Sequence, residues 1–121
     1  MLKEVSTVRQ VPGEGTRRWF TDPSFDLILW YDHQNEISGF QLCYDKKIRE
    51  RALTWRKGKG FTHEKVDDGE VPGRPKMTPV LTADGGFDAA AVASRFHRES
   101  AEMDRDIARF VLSTIAAYPG P

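Results

Sequence analysis

The residues best suited to chemistry in this sequence lie close together between positions 63 and 70. His63 and Glu64 are followed by three more carboxylates, Asp67, Asp68 and Glu70. Imidazole and carboxylate groups can ligate a divalent cation or serve as general base and acid. Their spacing, however, matches neither a zinc-binding nor an EF-hand pattern. The sequence therefore predicts no metal and no catalytic residue, and an enzyme with a His/carboxylate site here is kept as the second alternative.

Cys43 is the single cysteine of the chain, and it lies in a run of strand character. A thiol beside a base can act as a nucleophile, but a cysteine in a central strand is more often a small buried hydrophobe. The sequence contains no nucleophile elbow, P-loop or dinucleotide-binding motif. A lone cysteine cannot form an internal disulfide, and this favours a reducing compartment. We therefore expect a cytoplasmic protein without a cofactor, and we favour a non-enzymatic role.

A basic segment with interleaved aromatic residues runs from Lys46 to Lys76. Cations that meet phosphates and rings that stack on bases hold single-stranded nucleic acid on many sheets. Lys and Arg at turns and strand edges also keep a sheet soluble, so nucleic acid is not the expected partner. Binding of a small ligand or of single-stranded nucleic acid by the hairpin around Trp55 is the first alternative. The candidate binding residues are Trp30, Tyr44, Arg51, Trp55, Lys57 and His63.

Composition describes an ordinary small domain. The chain has 121 residues, a formal net charge of zero, 39% hydrophobic and 30% charged residues, which fits one domain with one core. The charge balance draws the protein neither to nucleic acid nor to an anionic membrane. No apolar run approaches the roughly 18 residues of a membrane span, and the N-terminus lacks the apolar stretch of a signal peptide. We expect a single domain over residues 1–121, with no membrane partner.

The elements that must position these residues centre on the stretch from Phe25 to Trp55. It holds three runs rich in aromatic and β-branched residues, separated by two short polar breaks, a pattern typical of a β-meander. The first run, from Phe25 to Asp32, alternates apolar and mixed positions, so it predicts a strand with one face toward the core. Further strands are expected within residues 2–11, 16–20, 37–45, 48–56 and 61–66. Residues 71–79 are predicted to be irregular, and a short apolar run follows at 80–82. The β-rich part of the chain thus spans residues 1–84.

From Phe87 to Tyr118 the character changes to helical. Asp88 is a suitable N-cap, and apolar residues then recur at the 3.6-residue period. A single helix over 88–117 would be about 45 Å long. The sequence therefore predicts either one long helix or two shorter ones, broken near 97–100 with Ser100 as a second N-cap. The predicted fold is α+β: an antiparallel β-meander of four to six strands with the C-terminal helix packed on one face.

The predicted sheet carries apolar residues on both faces. Trp30 lies on the face opposite the core of its strand, where it joins Ile28 and Cys43, and we extend this patch to Trp55. An exposed apolar patch marks a partner or ligand surface; alternatively, the N-terminal segment or the 71–83 loop covers it. The leading hypothesis is a small non-catalytic interaction domain that forms a homodimer through this sheet face.

Five runs of the chain carry a family resemblance: RRWF at 17–20, DLILWYD at 26–32, GFQLCYD at 39–45, RALTW at 51–55 and VDDGE at 66–70. Together they resemble a small family of uncharacterised bacterial cytosolic proteins. The resemblance covers most of the chain from Arg17 onward, and it implies a free-standing bacterial cytosolic domain. That family has no established activity, so the resemblance implies no catalytic residue and no ligand.

Overall fold

The structure, a computed structural model, describes residues 1–6, 10, 15–46, 50–67, 80–83 and 87–119. One antiparallel sheet is followed by two helices, which confirms the predicted α+β class. The strands are β1 (Lys3–Glu4), β2 (Arg17–Thr21), β3 (Phe25–Tyr31), β4 (Ile37–Tyr44), β5 (Arg51–Arg56), β6 (Gly60–Asp67) and β7 (Val80–Ala83), and the helices are α1 (Ala89–Glu99) and α2 (Arg105–Ala116).

The sheet is a meander, because the seven strands lie side by side in sequence order. Six of them have four residues or more, and the two-residue β1 pairs with β2 at one edge. The strands predicted within 16–20, 25–32, 37–45 and 61–66 are confirmed to within two residues at each end. The N-terminal strand is shorter than predicted, and β5 begins at Arg51. Residues 71–79 lie outside the described part of the chain.

One face of the sheet and the inner sides of both helices form the core. Alternate residues of β3, such as Phe25 and Leu27, are fully buried and share the core with Phe96 of α1 and Val111 of α2. The Phe25 and Phe96 rings meet edge to face, with their centroids 6.0 Å apart, an arrangement that aromatic pairs favour. We call this side of the sheet the helix-side face.

The helical region is divided into two helices. Asp88 caps α1 as predicted, since its Oδ1 accepts a hydrogen bond from the Ala91 N–H at 3.1 Å. The break was expected near Ser100, but the predicted role of that residue as second N-cap is wrong. Ser100 ends α1, its N–H donating to the Phe96 carbonyl, and Asp104 caps α2 instead. Among the described residues, neither helix is long and apolar enough to cross a bilayer.

The first hairpin of the meander is fixed by local polar contacts. Asn35 in its loop has a φ of 61°, the left-handed conformation predicted for it. Asp32 Oδ1 accepts hydrogen bonds from the N–H groups of Gln34 at 2.8 Å and Glu36 at 3.0 Å. These contacts set the register that places Leu29 opposite Phe40 on the helix-side face.

Candidate functional site

The face of the sheet opposite the helices, which we call the open face, is ordered in three rows across β2 to β6. The register pairs Arg17 with Trp30, Trp30 with Gly39 and Gly39 with Arg56. Because cross-strand partners point to the same side of a sheet, each row is a line of neighbouring side chains. The basic row is Arg17, Trp30, Gly39 and Arg56; the central row is Trp19, Ile28, Gln41, Thr54 and Thr62; the acidic row is Thr21, Asp26, Cys43, Ala52 and Glu64.

The central row holds the apolar part of the open face. Trp19 is 38% exposed, and together with Met1 it is one of the large apolar side chains that remain exposed among the described residues. Its register partner Ile28 is half-buried. Gln41 and Thr54 are joined side chain to side chain by a hydrogen bond of 3.1 Å. The central row is therefore apolar at Trp19 and Ile28. It is polar at Gln41 and Thr54, whose side chains hydrogen-bond to each other.

The basic row places a cation on an aromatic ring. The guanidinium carbon of Arg56 lies 4.2 Å from the centroid of the Trp30 ring, within the range of a cation–π contact. Arg56 is exposed, whereas Trp30 and Arg17 are half-buried. This row therefore combines two positive charges with a flat aromatic surface.

The acidic row is held by polar contacts around Asp26. Its Oδ1 accepts hydrogen bonds from the Lys46 ammonium at 2.9 Å and the Thr21 hydroxyl at 2.5 Å. Burial, and then the nearby Asp26 carboxylate, raise the pKa of Glu50 above its usual value. Burial also raises the pKa of the Cys43 thiol to about 12, with the carboxylates of Glu50 and Asp26 adding to the effect. A thiol in this state is protonated near neutral pH and is a poor nucleophile.

Two of the predicted binding residues, Tyr44 and Arg51, line a second place, a cleft between the helix-side face and α1, and a third, the buried His63, contacts Tyr44. Tyr44 Oη and His63 Nε2 share a hydrogen bond of 2.5 Å, and their rings are stacked. Arg51 pairs with Tyr44 in the register. The cleft has a volume of about 750 Å³ and is lined by Tyr44, Asp45, Arg51, Phe87, Asp88, Ala89, Ala91, Val92, Arg95 and Tyr118. That volume is in the range of small-molecule sites.

The other predicted binding residues lie elsewhere. Trp55 is on the helix-side face, where its ring packs against Phe40 and, at 5.6 Å, against Phe110 of α2. Its predicted place in the patch with Trp30 is therefore wrong, because the pairing of Trp55 with Phe40 fixes the opposite direction. Lys57 shares a shallow cleft of about 460 Å³ with Trp55. The six residues thus fall in three separate places.

The His/carboxylate group predicted near 63–70 is divided by the strand. His63 is buried on the helix-side face, whereas Glu64 lies in the acidic row of the open face. Adjacent strand residues point to opposite sides, so these two side chains cannot share a site. The carboxylates at 68 and 70 lie outside the described residues. Within the described part of the chain, no three His, Cys, Asp or Glu side chains are grouped as a metal site.

Sequence reasoning missed Arg17 and Arg56 as site residues. Their role depends on the strand register, which brings positions 39 residues apart in the chain onto one row. The alternation of side chains along β2 is the sequence feature that could have identified Arg17, because it places Arg17, Trp19 and Thr21 on one side of the sheet. No family model, curated protein or solved structure matches this chain. The function is therefore proposed from the geometry of these surfaces.

Proposed function

We propose that the protein is a small non-catalytic interaction domain that self-associates as a homodimer through the open face. The observation that carries the proposal is the exposure of Trp19, at 38%, beside the half-buried Ile28 on the open face of the sheet. Tryptophan is enriched at the centres of protein interfaces and often dominates their binding energy. An exposed tryptophan with an apolar neighbour on a strand pair is an efficient anchor for a second sheet.

The size of the face supports a reversible dimer and not an obligate one. Five strands spaced about 4.8 Å apart and about five residues long give a flat area of about 400 Å². Two such faces give about 800 Å², below the roughly 1,200 Å² that standard specific interfaces bury and in the range of weak, transient ones. We therefore expect association that depends on concentration and a folded monomer on dilution.

The test is light scattering after size exclusion, with the variant Trp19→Lys and the matched control Ser94→Lys. Both residues are exposed, and both changes add a lysine, but Ser94 lies on α1, away from the open face. The proposal expects the wild type and Ser94→Lys to dimerise at high loading concentration and Trp19→Lys to remain monomeric. A dimer that is unaffected by Trp19→Lys would show that the interface is elsewhere.

A second candidate function is the binding of a small planar anion in the cleft at Tyr44 and Arg51. The observation in its favour is that the cleft combines aromatic walls at Phe87 and Tyr118 with the arginine Arg51. Arg95, also in the lining, is paired with Asp45 at 3.0 Å. The hairpin around Trp55 gives less support to nucleic-acid binding, since the Trp55 ring packs on Phe110.

The cleft is tested by titrating benzoate and phenyl phosphate into isotopically labelled protein and following amide chemical shifts. The second candidate expects shifts confined to the cleft that are lost in Arg51→Gln and kept in Lys57→Gln, a matched removal of one positive charge. Shifts that are spread over the surface, or equal in both variants, would reject it.

We place this domain in the bacterial cytoplasm. The proposal rests on the resemblance stated above and on the single cysteine, Cys43. A lone thiol suits a reducing compartment, and the raised pKa of Cys43 keeps it protonated there. Fractionation of cells that produce the protein under its own signals tests this, and recovery in an extracytoplasmic fraction would overturn it.

A further inference from the structure

We infer that the two copies pack open face to open face about a two-fold axis that runs across the strands, so that the basic row of each copy lies on the acidic row of the other. This inference rests on the proposed homodimer and adds its orientation and its charge contacts. It follows from the way in which charge is distributed along the strands of the open face.

The two ends of the open face carry opposite charge. Arg17 and Arg56 lie in the basic row, whereas Asp26 and Glu64 lie in the acidic row four residues away along a strand. The central row, which contains Trp19 and Ile28, carries no charged side chain among its members. The face is therefore positive at one end, uncharged in the middle and negative at the other.

A homodimer of this kind uses the same patch on both copies, so its two-fold axis must lie between the sheets. If the axis runs along the strands, each row meets its own copy, so that the positive end lies on the positive end and the negative end on the negative end. If the axis runs across the strands, the basic row meets the acidic row. Like charges placed opposite one another at an interface are destabilising, so the second orientation is favoured.

The favoured orientation also places apolar on apolar. The central row lies on the axis, so Trp19 faces Trp19 of the second copy and Ile28 faces Ile28. Arg56 comes beside Glu64 of the second copy, one strand away from direct opposition, and Arg17 comes beside Asp26 in the same way. Each of these contacts occurs twice by symmetry.

The acidic end has an excess of negative charge that a second copy would offset. Lys46 already pairs with Asp26 at 2.9 Å, but Glu50 and Glu64 lie on the same side of the molecule. Burial, and then the nearby Asp26 carboxylate, raise the pKa of Glu50, as expected for a partly buried carboxylate beside a like charge. Arginines from a second copy would relieve this repulsion.

The experiment compares Arg56→Glu, Glu64→Lys and an equal mixture of the two, with Arg109→Glu as the control. Arg109 is exposed on α2, away from the open face. The dimer dissociation constant is measured by sedimentation velocity at low salt, because charge contacts are screened at high salt. Circular dichroism of each variant checks that it is folded.

The inference expects each single reversal to weaken the dimer by about tenfold or more, since two attractive contacts become repulsive. The mixture should recover wild-type affinity as a heterodimer, and Arg109→Glu should match the wild type. Single reversals that raise affinity would place the axis along the strands, and single reversals without effect would show that the charged rows do not meet across the interface. Either result would overturn the inference, while the homodimer itself would stand. A wild type that is monomeric throughout would instead reject the proposed function.

Discussion

Gly39 lies directly beneath the indole ring of Trp30. A methyl group built on Gly39 would be 3.2 Å from Cε3 of Trp30 and 2.6 Å from the carbonyl oxygen of Trp55. The first neighbour is a rigid ring and the second is backbone, so neither can move aside easily. The two residues are register partners, next to the shift in the β3–β4 pairing between Trp30 and Tyr31. A bulge or close approach at a strand glycine is the expected reason for its presence.

The change Gly39→Ala should therefore destabilise the protein by about 2 kcal/mol, the usual scale of overpacking. Urea unfolding followed by circular dichroism measures the free energy of unfolding. Thr62→Ala is the control, because Thr62 is exposed on the same face of β6, and it should change stability by less than about 0.5 kcal/mol. Equal stability of Gly39→Ala and wild type would show that the close approach at Gly39 is not as described.

The cap of α2 gives a second prediction. Asp104 Oδ1 accepts hydrogen bonds from the N–H groups of Asp106 at 2.9 Å and Ile107 at 3.2 Å. Asp104→Ala removes both acceptors and should lower the free energy of unfolding by about 1 kcal/mol. Asp104→Asn retains an acceptor and should recover most of the loss. If Asp104→Ala has no effect, the cap contributes nothing and the break between the helices has another cause.

Asp32 predicts a dependence of stability on pH. Hydrogen bonds from the backbone N–H of Glu36, and then from that of Gln34, hold the pKa of this carboxyl below its usual value. A depressed pKa contributes stability that is present above the unfolded-state pKa and is lost as pH falls through the folded-state pKa. Asp32→Asn, which resembles the protonated acid, should thus be less stable than wild type at neutral pH, and the gap should close in acid. Thermal unfolding across pH measures it, and a gap independent of pH would contradict the assignment.

Cys43 predicts slow thiol chemistry. Its pKa is raised from 9.0 to about 12, so at pH 8 the thiolate fraction should be about 1,000-fold lower than in an ordinary exposed cysteine. Alkylation by iodoacetamide, followed by mass spectrometry, should be correspondingly slow in the folded protein and fast in denaturant. Modification of the folded protein at the rate of a free thiol would contradict both the burial of Cys43 and the raised pKa of its thiol.

Much of the fold follows from local sequence signals. The alternation in β3, the loop residue Asn35 and the N-cap Asp88 each act within a few residues of their own position, and each is found where the sequence predicts it. Ser100 and Asp104 are both residue types suited to an N-cap, and Asp104 is the one that caps α2. Which of these two residues caps α2 is decided only by the path that the chain takes after α1.

The candidate site was harder to predict, because it depends on register. The sequence indicates that Trp30 faces away from the core of its strand, and this is so. Whether Trp55 lies on the same face as Trp30 depends on which residue of β4 is its register partner. That partner is Phe40, so Trp55 lies on the helix-side face. The opposition of Arg17 and Asp26 at the two ends of the open face likewise requires the pairing of β2 with β3. Such long-range relations are not encoded in any single segment.

Native mass spectrometry of the wild type gives the most direct test of self-association through the open face. The protein is measured from about 1 to about 300 µM, the interval in which a dimer of this interface size should form. The account predicts the 13.7 kDa monomer at the lowest concentration and a species of twice that mass that grows as concentration rises. A monomer at every concentration would contradict self-association through the open face, and a monomer that carries an additional small-molecule mass would favour the cleft at Tyr44 and Arg51 as the functional site.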